Sequence, residues 1–320
     1  MLVRWYHVGA FSPFFRAHAH IDTKRREPYL LDEPYKGMVK EILRRRYAML
    51  PIWYTAFREA STTGLPVARP HYVAFPKDEA GFSIDDQYMV GSSGLLVKPV
   101  TEKGAKEASV YFPANEIFYD YNSYSLYRTS TTEGKTVTVA AELHQVPLFI
   151  RGGSVVPTRE RPRRSASVMR YDPFTLRIAL DPSGSARGEL YLDDGVTFKH
   201  EQGQIVWREI LSESSGKGIK LSSHDLTKQH LSSAVDSVAL STYDPANEFA
   251  LSLSNVRVEK VIVLGLAYKP SSVRVGGKEL EWEYVPGVAS SGKKEGTSSQ
   301  LTIKDPAVKI SSDWEIVVLP

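Results

Sequence analysis

The chain has 320 residues, with 40 Lys and Arg against 37 Asp and Glu, a formal net charge of +3, and no cysteine. So balanced a charge demands neither nucleic acid nor an anionic membrane as partner, and no run approaches the roughly 18 apolar residues of a membrane span. Disulfides are excluded, so the redox compartment is not encoded, and the length allows two or more folding units with sizeable cores.

The chain opens within "LVRWYHVGAF", a mixed apolar segment with neither a signal peptide nor an unstructured lead-in, which reads as the interior of a longer polypeptide. The stretch from Gly9 to His20 comes next. Read as a strand, it puts Arg16, His18 and His20 on one face and Phe15, Ala17 and Ala19 on the other. At the C-terminal end of a strand in a (β/α)8 barrel, such a polar face opens into the active-site mouth. Imidazole both donates and accepts hydrogen bonds, which suits the vicinal hydroxyls of a hexose, and Arg16 can hold a carboxylate or a hydroxyl. The competing reading is a set of satisfied structural positions. No third or fourth ligand lies close enough in sequence to make a metal site.

Residues 35–63 carry a helical pattern in which Val39, Leu43, Leu50, Trp53, Phe57 and Ala60 recur at three, four or seven. Asp32 and Glu33 mark its start, Gly64 its stop, and Pro51 predicts a kink or a break into two helices. The stripe is expected to pack on the barrel. Arg44-Arg45-Arg46 reads as a solvated face with one arginine paired to a carboxylate. A whole barrel needs eight strand–helix units over some 250 residues, so there is room for the last unit alone.

From Pro66 the pattern turns to short strands: "LLVKPV", "ASVYFP", "TVTVAA" and "VPLFIRGGSVVP", bounded by Gly, Pro and Ser. The basic stretch Arg159–Arg164, "RERPRR", reads as a solvated linker. Beyond it, "TLRIAL", "GELYLDDGVTF", "IVWREI", "VEKVIVLGL" and "WEIVVLP" suggest a β-sandwich, with Asp194-Gly195 as a hairpin turn. Residues 212–218 and 289–299 read as exposed loops. Asp85-Asp86 and Asp193-Asp194 are tempting carboxylate pairs, but neighbouring strand residues face opposite ways, so structural and turn roles are expected. Asn-x-Ser/Thr acceptors are missing; Asn122-Ser123-Tyr124 fails at the third position.

"GAFSPFFRAH" resembles the last barrel strand of glycoside hydrolase family 31, which contains retaining α-glucosidases. "AHIDTKRREPYLL" narrows the likeness to the branch that trims N-glycans. "IDDQYMVG", "GLLVKPV", "PANEIFYDY", "VPLFIRGGSVVP" and "GELYLDDGVTF" match in the same order, with Arg151-Gly152-Gly153 the most specific. Phe118 stands where the family has Trp. The resemblance implies the last strand–helix unit of a (β/α)8 barrel (residues 1–66), a proximal β domain (67–158) and a distal β-sandwich domain (159–320). It places His18 on the sugar and Arg16 beside the active-site acids, and transfers no role to His20. The two catalytic aspartates belong to earlier strands, so none is expected here, nor is any cofactor. The implied partners are the N-terminal part of the same subunit, a non-catalytic second subunit and a glucosylated high-mannose N-glycan in the endoplasmic-reticulum lumen. Two rival readings are a non-catalytic carbohydrate-binding β module and an α-glucosidase or α-xylosidase of the family with another substrate.

Overall fold

The computed structural model describes residues 1–227, 247–291 and 295–320. It opens on a helix, α1 (Leu2–Ala10), whose Val3, Tyr6 and Ala10 recur at helical spacing and are buried. The expected strand does not form. Residues 15–20 have no regular structure, and Arg16, His18 and His20 are all exposed. A strand needs a neighbour to take its N–H and C=O groups, and no described strand pairs with this segment.

The break at Pro51 is as expected: α2 (Tyr35–Ala48) and α3 (Leu50–Thr63) meet at Met49, with Pro51 in the first turn of α3, where its missing N–H costs nothing. Glu33 accepts from the Gly37 amide at 3.0 Å, and Gly64, at φ 74°, ends α3. The apolar stripe, however, does not face a barrel. Val39 and Trp53 join Val90, Leu95, Val97, Leu148 and Ile150 in one core with the first β-sheet, while Phe57 stays 47 % exposed. Arg4 fastens α1 to the same body by donating to the carbonyls of Gln145 (3.0 Å), Ala105 (2.9 Å) and Ala141 (2.5 Å).

A six-stranded antiparallel sheet spans Ala68–Pro70 to Leu148–Arg151, with a two-stranded ribbon of Glu107–Phe112 and Lys135–Ala140 beside it. The second sheet has eleven strands and already begins at Ser154–Thr158. It curls, so that Leu176, Leu190, Leu221, Val261, Leu301 and Ile316, from strands along its whole order, share one core. Two of its pairings are parallel, Phe174–Ala179 with Val258–Leu264 and Ala186–Leu192 with Ser154–Thr158. The Arg151-Gly152-Gly153 segment is the joint between the sheets. Gly152 donates to Ile117 (2.7 Å) and Gly153 to Ala179 (2.8 Å), while Arg151 pairs with Glu116 and lies 4.9 Å over the Phe75 ring. A Cβ on Gly152 would meet the Leu180 carbonyl oxygen at 3.1 Å and the Ile117 side chain at 3.2 Å, and Gly153 sits at φ 85°, where glycine is favoured.

Two sequence expectations need correcting here. Ala186–Leu192 and Val206–Ser214 do pair as an antiparallel hairpin, but residues 193–205 connect them, not a two-residue turn at Asp194-Gly195. Asp194 instead accepts from the Thr197 hydroxyl (2.5 Å) and from the amides of Thr197 (2.8 Å) and Val196 (2.9 Å), closing a local turn, and these bonds, the hydroxyl's foremost, hold its carboxyl down at about 2. Nor is "RERPRR" a free linker. Arg161 pairs with Glu259 (2.7 Å), Arg163 with Asp172 (2.5 Å) and Glu160 with Arg177 (2.8 Å), while the Arg159 amide donates to Ala48 at the end of α2. Of the two expected exposed loops, residues 212–214 extend a strand, and residues 292–294 lie outside the described residues.

Candidate functional site

The loop that follows α1 is held at its base by groups distant in sequence. Arg46 reaches from α2 and donates to the carbonyls of Gly9 (3.3 Å), Ala10 (2.8 Å), Ser12 (2.8 Å) and Pro13 (3.3 Å). These are the last carbonyls of a helix and the first of its exit, where a cation is favoured by both hydrogen bonding and the helix dipole. The guanidinium also lies 4.9 Å over the Phe15 ring and 5.3 Å over Trp53. Phe15 covers Gly9 so closely that a Cβ there would sit 2.7 Å from its ring. Tyr88, from the first sheet, donates to the Phe11 carbonyl at 2.5 Å.

Past this base the chain turns outward. Arg26 donates to the His18 carbonyl (3.0 Å), and the Asp22 amide donates to His20 Nδ1 (3.2 Å). Arg25 pairs with Glu27 and bonds Tyr29, so "RREPYLL" braces the far side of the loop. The side chains of Arg16 and His18 have no partner among the described residues, whereas the His20 ring is engaged by Asp22. The structure therefore separates the three polar residues. Two offer uncommitted donors and acceptors on a backbone fixed at both ends, and the third serves its own turn. Such a loop can hydrogen-bond hydroxyls through His18 and carry a cation at Arg16. Its two carboxylates are engaged within it, Asp22 by His20 and Glu27 by Arg25.

Arg46 is the residue that sequence reasoning missed. A signal was present: it lies seven residues from Val39, three from Leu43 and four from Leu50, on the apolar stripe itself. A cation there cannot be solvated and must find acceptors. Of the three arginines, only Arg44, paired with Glu41, fits the solvated reading; Arg45 is half-buried and lies 5.8 Å over the Tyr121 ring. Arg46→Ala is expected to lower stability by about 2 kcal/mol, because four carbonyls lose a charged donor but water can reach some of them. Arg46→Lys should recover less than half of this, since a point charge cannot fork to four acceptors. Urea unfolding of the three proteins, with amide exchange over residues 9–18, measures it; wild-type exchange in Arg46→Ala would contradict the role.

The adjacent carboxylates carry no second site. Asp86 pairs with the buried Lys98, and Asp193 accepts from the hydroxyls of Tyr54 and Tyr191 and from the Gly195 amide. Burial foremost, then Asp193 itself, pushes both phenol pKa values upward.

Comparison with known proteins adds a common direction. Residues 1–56 match the glycosyl hydrolases family 31 TIM-barrel domain, and residues 64–156 match the glycosyl hydrolase family 31 C-terminal domain. A probable glucan 1,3-alpha-glucosidase of Arabidopsis thaliana is 40% identical over 326 residues, covering 100% of this chain and 32% of the relative. The crystal structure of the Glc1Man2-bound glucosidase II alpha subunit superposes with a TM-score of 0.84 at 38% identity, covering 99% of this chain and 33% of that one. An ER glucosidase II heterodimeric complex, of a catalytic subunit and the binding domain of a regulatory subunit, gives 0.83 at 37% identity, covering 99% and 32%. The chain spans about a third of the length of the curated relatives it matches.

Proposed function

Because the chain belongs to glycosyl hydrolase family 31, with the end of the barrel and the β domains after it, we propose that it forms the C-terminal part of a retaining α-glucosidase. The observation that carries this reading is the continuous likeness across barrel end and β domains to a glucosidase II alpha subunit, over 99% of the chain. The substrate we assign is an α-1,3-linked glucose on a mannose-bearing N-glycan. The 1,3-glucosidase among the relatives and the Glc1Man2-bound neighbour support the linkage and the glycan class. A non-catalytic regulatory subunit as second partner, and with it the endoplasmic-reticulum lumen, is supported by the solved heterodimer.

In the reaction, one carboxylate attacks the anomeric carbon and a second protonates the leaving oxygen; water then hydrolyses the glycosyl-enzyme ester. Both carboxylates come from the part of the subunit that precedes this chain. What this chain supplies is position. His18 bonds a hydroxyl of the glucose in the cleavage subsite, Arg16 braces the acids, and α1, Arg46 and Tyr88 hold the loop that presents them.

His18→Ala in the complete subunit tests the assignment. A hydroxyl contact that strengthens as the ring distorts toward its oxocarbenium-like transition state contributes about 1–3 kcal/mol, so kcat/KM should fall roughly ten- to a hundredfold. His20→Ala should cost clearly less. Both variants need wild-type thermal stability. Near-normal kcat/KM in a folded His18→Ala enzyme would remove the sugar contact from this loop.

A further inference from the structure

A cleft of about 1060 Å³ runs between α2, the 159–164 segment and the turn at Tyr121–Tyr124, and neither Arg16 nor His18 lines it. Nine of its lining side chains are Lys or Arg and two are Glu. Most surface cations meet a carboxylate, and several here do: Arg44 with Glu41, Arg161 with Glu259, Arg163 with Asp172, Arg177 with Glu160. Five others, Lys36, Lys40, Arg45, Arg159 and Arg164, form no ion pair with a carboxylate among the described residues, and Arg159 donates to the Arg170 carbonyl (3.0 Å). Arg45 is the telling one. It is half-buried, its guanidinium 5.8 Å from the centroid of the Tyr121 ring, to which Arg177 also comes within 4.6 Å, and burial holds its pKa below the usual guanidinium value. Two guanidiniums thus share one ring, and only Arg177 of the two forms an ion pair, with Glu160. An incoming anion would relieve a cost the fold already carries.

The spacing of the cations selects the class of anion. Lys36 and Lys40, one turn apart on α2, and Arg45 further along it all line the cleft, and from Lys36 to Arg45 the helix rises about 13 Å at 1.5 Å per residue. That is too wide for one phosphate group but equals about four residues of an extended peptide. No glycine lines the cleft, so it lacks the backbone cradle that glycine-rich loops build around phosphates. Leu43, half-buried, adds apolar surface to the cleft, as a peptide with mixed side chains requires. We propose that this cleft is a docking site for an extended acidic peptide segment of a separate polypeptide. It does not rest on the glucosidase reading, since neither Arg16 nor His18 lines it, and it meets the His18 loop through Tyr29 of the brace.

The test uses a fluorescein-labelled octaglutamate peptide and anisotropy titration, with this chain and with the complete subunit. Both should bind it, more weakly as salt rises. The triple reversal Lys36→Glu, Lys40→Glu, Arg164→Glu should weaken binding at least tenfold. A reversal of three exposed lysines elsewhere, Lys199→Glu, Lys269→Glu, Lys278→Glu, changes net charge equally and should weaken it less than twofold. Equal losses in the two triples would reduce the effect to overall charge and overturn the site. Binding by the chain but not by the complete subunit would show the cleft already covered, and a separate partner would be excluded. Tighter, equally reversal-sensitive binding of tetrapolyphosphate would reassign the cleft to phosphate.

Discussion

Incubated alone with 4-nitrophenyl α-D-glucopyranoside, this chain is expected to release glucose at least about ten-thousandfold more slowly than the complete subunit. Covalent catalysis with acid–base assistance depends on two reacting carboxylates, and proton transfer by the acid/base alone is worth about 10²–10⁴. The residues near His18 include no such pair: Asp22 is engaged by His20, and Glu27 by Arg25. The sugar contact and the brace proposed for His18 and Arg16 would remain, but contacts that only bind do not accelerate a chemical step. Co-expression with the preceding part of the subunit should restore turnover with retention, visible as the α-anomer in the first product by NMR. Comparable turnover by the isolated chain would place the reacting groups within these 320 residues and overturn the division of labour proposed above.

Lowering the pH from 7 to 4 should cost the fold about 3 kcal/mol through His7 alone. His7 lies in α1 at 1 % exposure, with neither ring nitrogen in a well-formed hydrogen bond. Its pKa is driven from 6.5 to about 4, first by burial and then by the charges of Arg4 and Arg45; a contact with the His144 backbone opposes this and is outweighed. The sign follows from which state binds the proton. Between pH 6.5 and 4 the unfolded chain protonates this imidazole and the folded chain does not, so stability is complete above 6.5 and falls toward 4. A shift of 2.5 units at 1.36 kcal/mol each gives the magnitude. Urea unfolding at pH 7 and pH 4 for wild type and His7→Leu isolates the contribution, because carboxylates titrate alike in both. The pH penalty should be smaller in His7→Leu by about 3 kcal/mol; identical penalties would refute the assignment.

The sequence by itself determined the punctuation of this protein and its kinship. Pro51 splits a helical pattern wherever it stands, because it lacks an N–H and clashes with the preceding turn. Gly64 stops a helix by reaching φ > 0, and Arg151-Gly152-Gly153 marks a joint where no side chain fits between two strands. Short β-branched runs became strands for reasons equally local. The strong local signals of the family motifs, quoted in order, likewise led to the family that the comparisons show. What tertiary structure decided was everything that depends on a neighbour. "RAHAH" alternates with period two, but alternation specifies faces and not a partner, so the segment is an exposed loop. The stripe from Val39 to Trp53 announced a buried helix face without saying which body would bury it, and the first β-sheet does. Asp194-Gly195 announced a turn without saying how far away the next strand would pair, which was at Val206. Arg46 looked like one of three solvated cations because its acceptors are backbone carbonyls 33 to 37 residues away. A carbonyl has no identity in a sequence; only the fold brings four of them to one guanidinium.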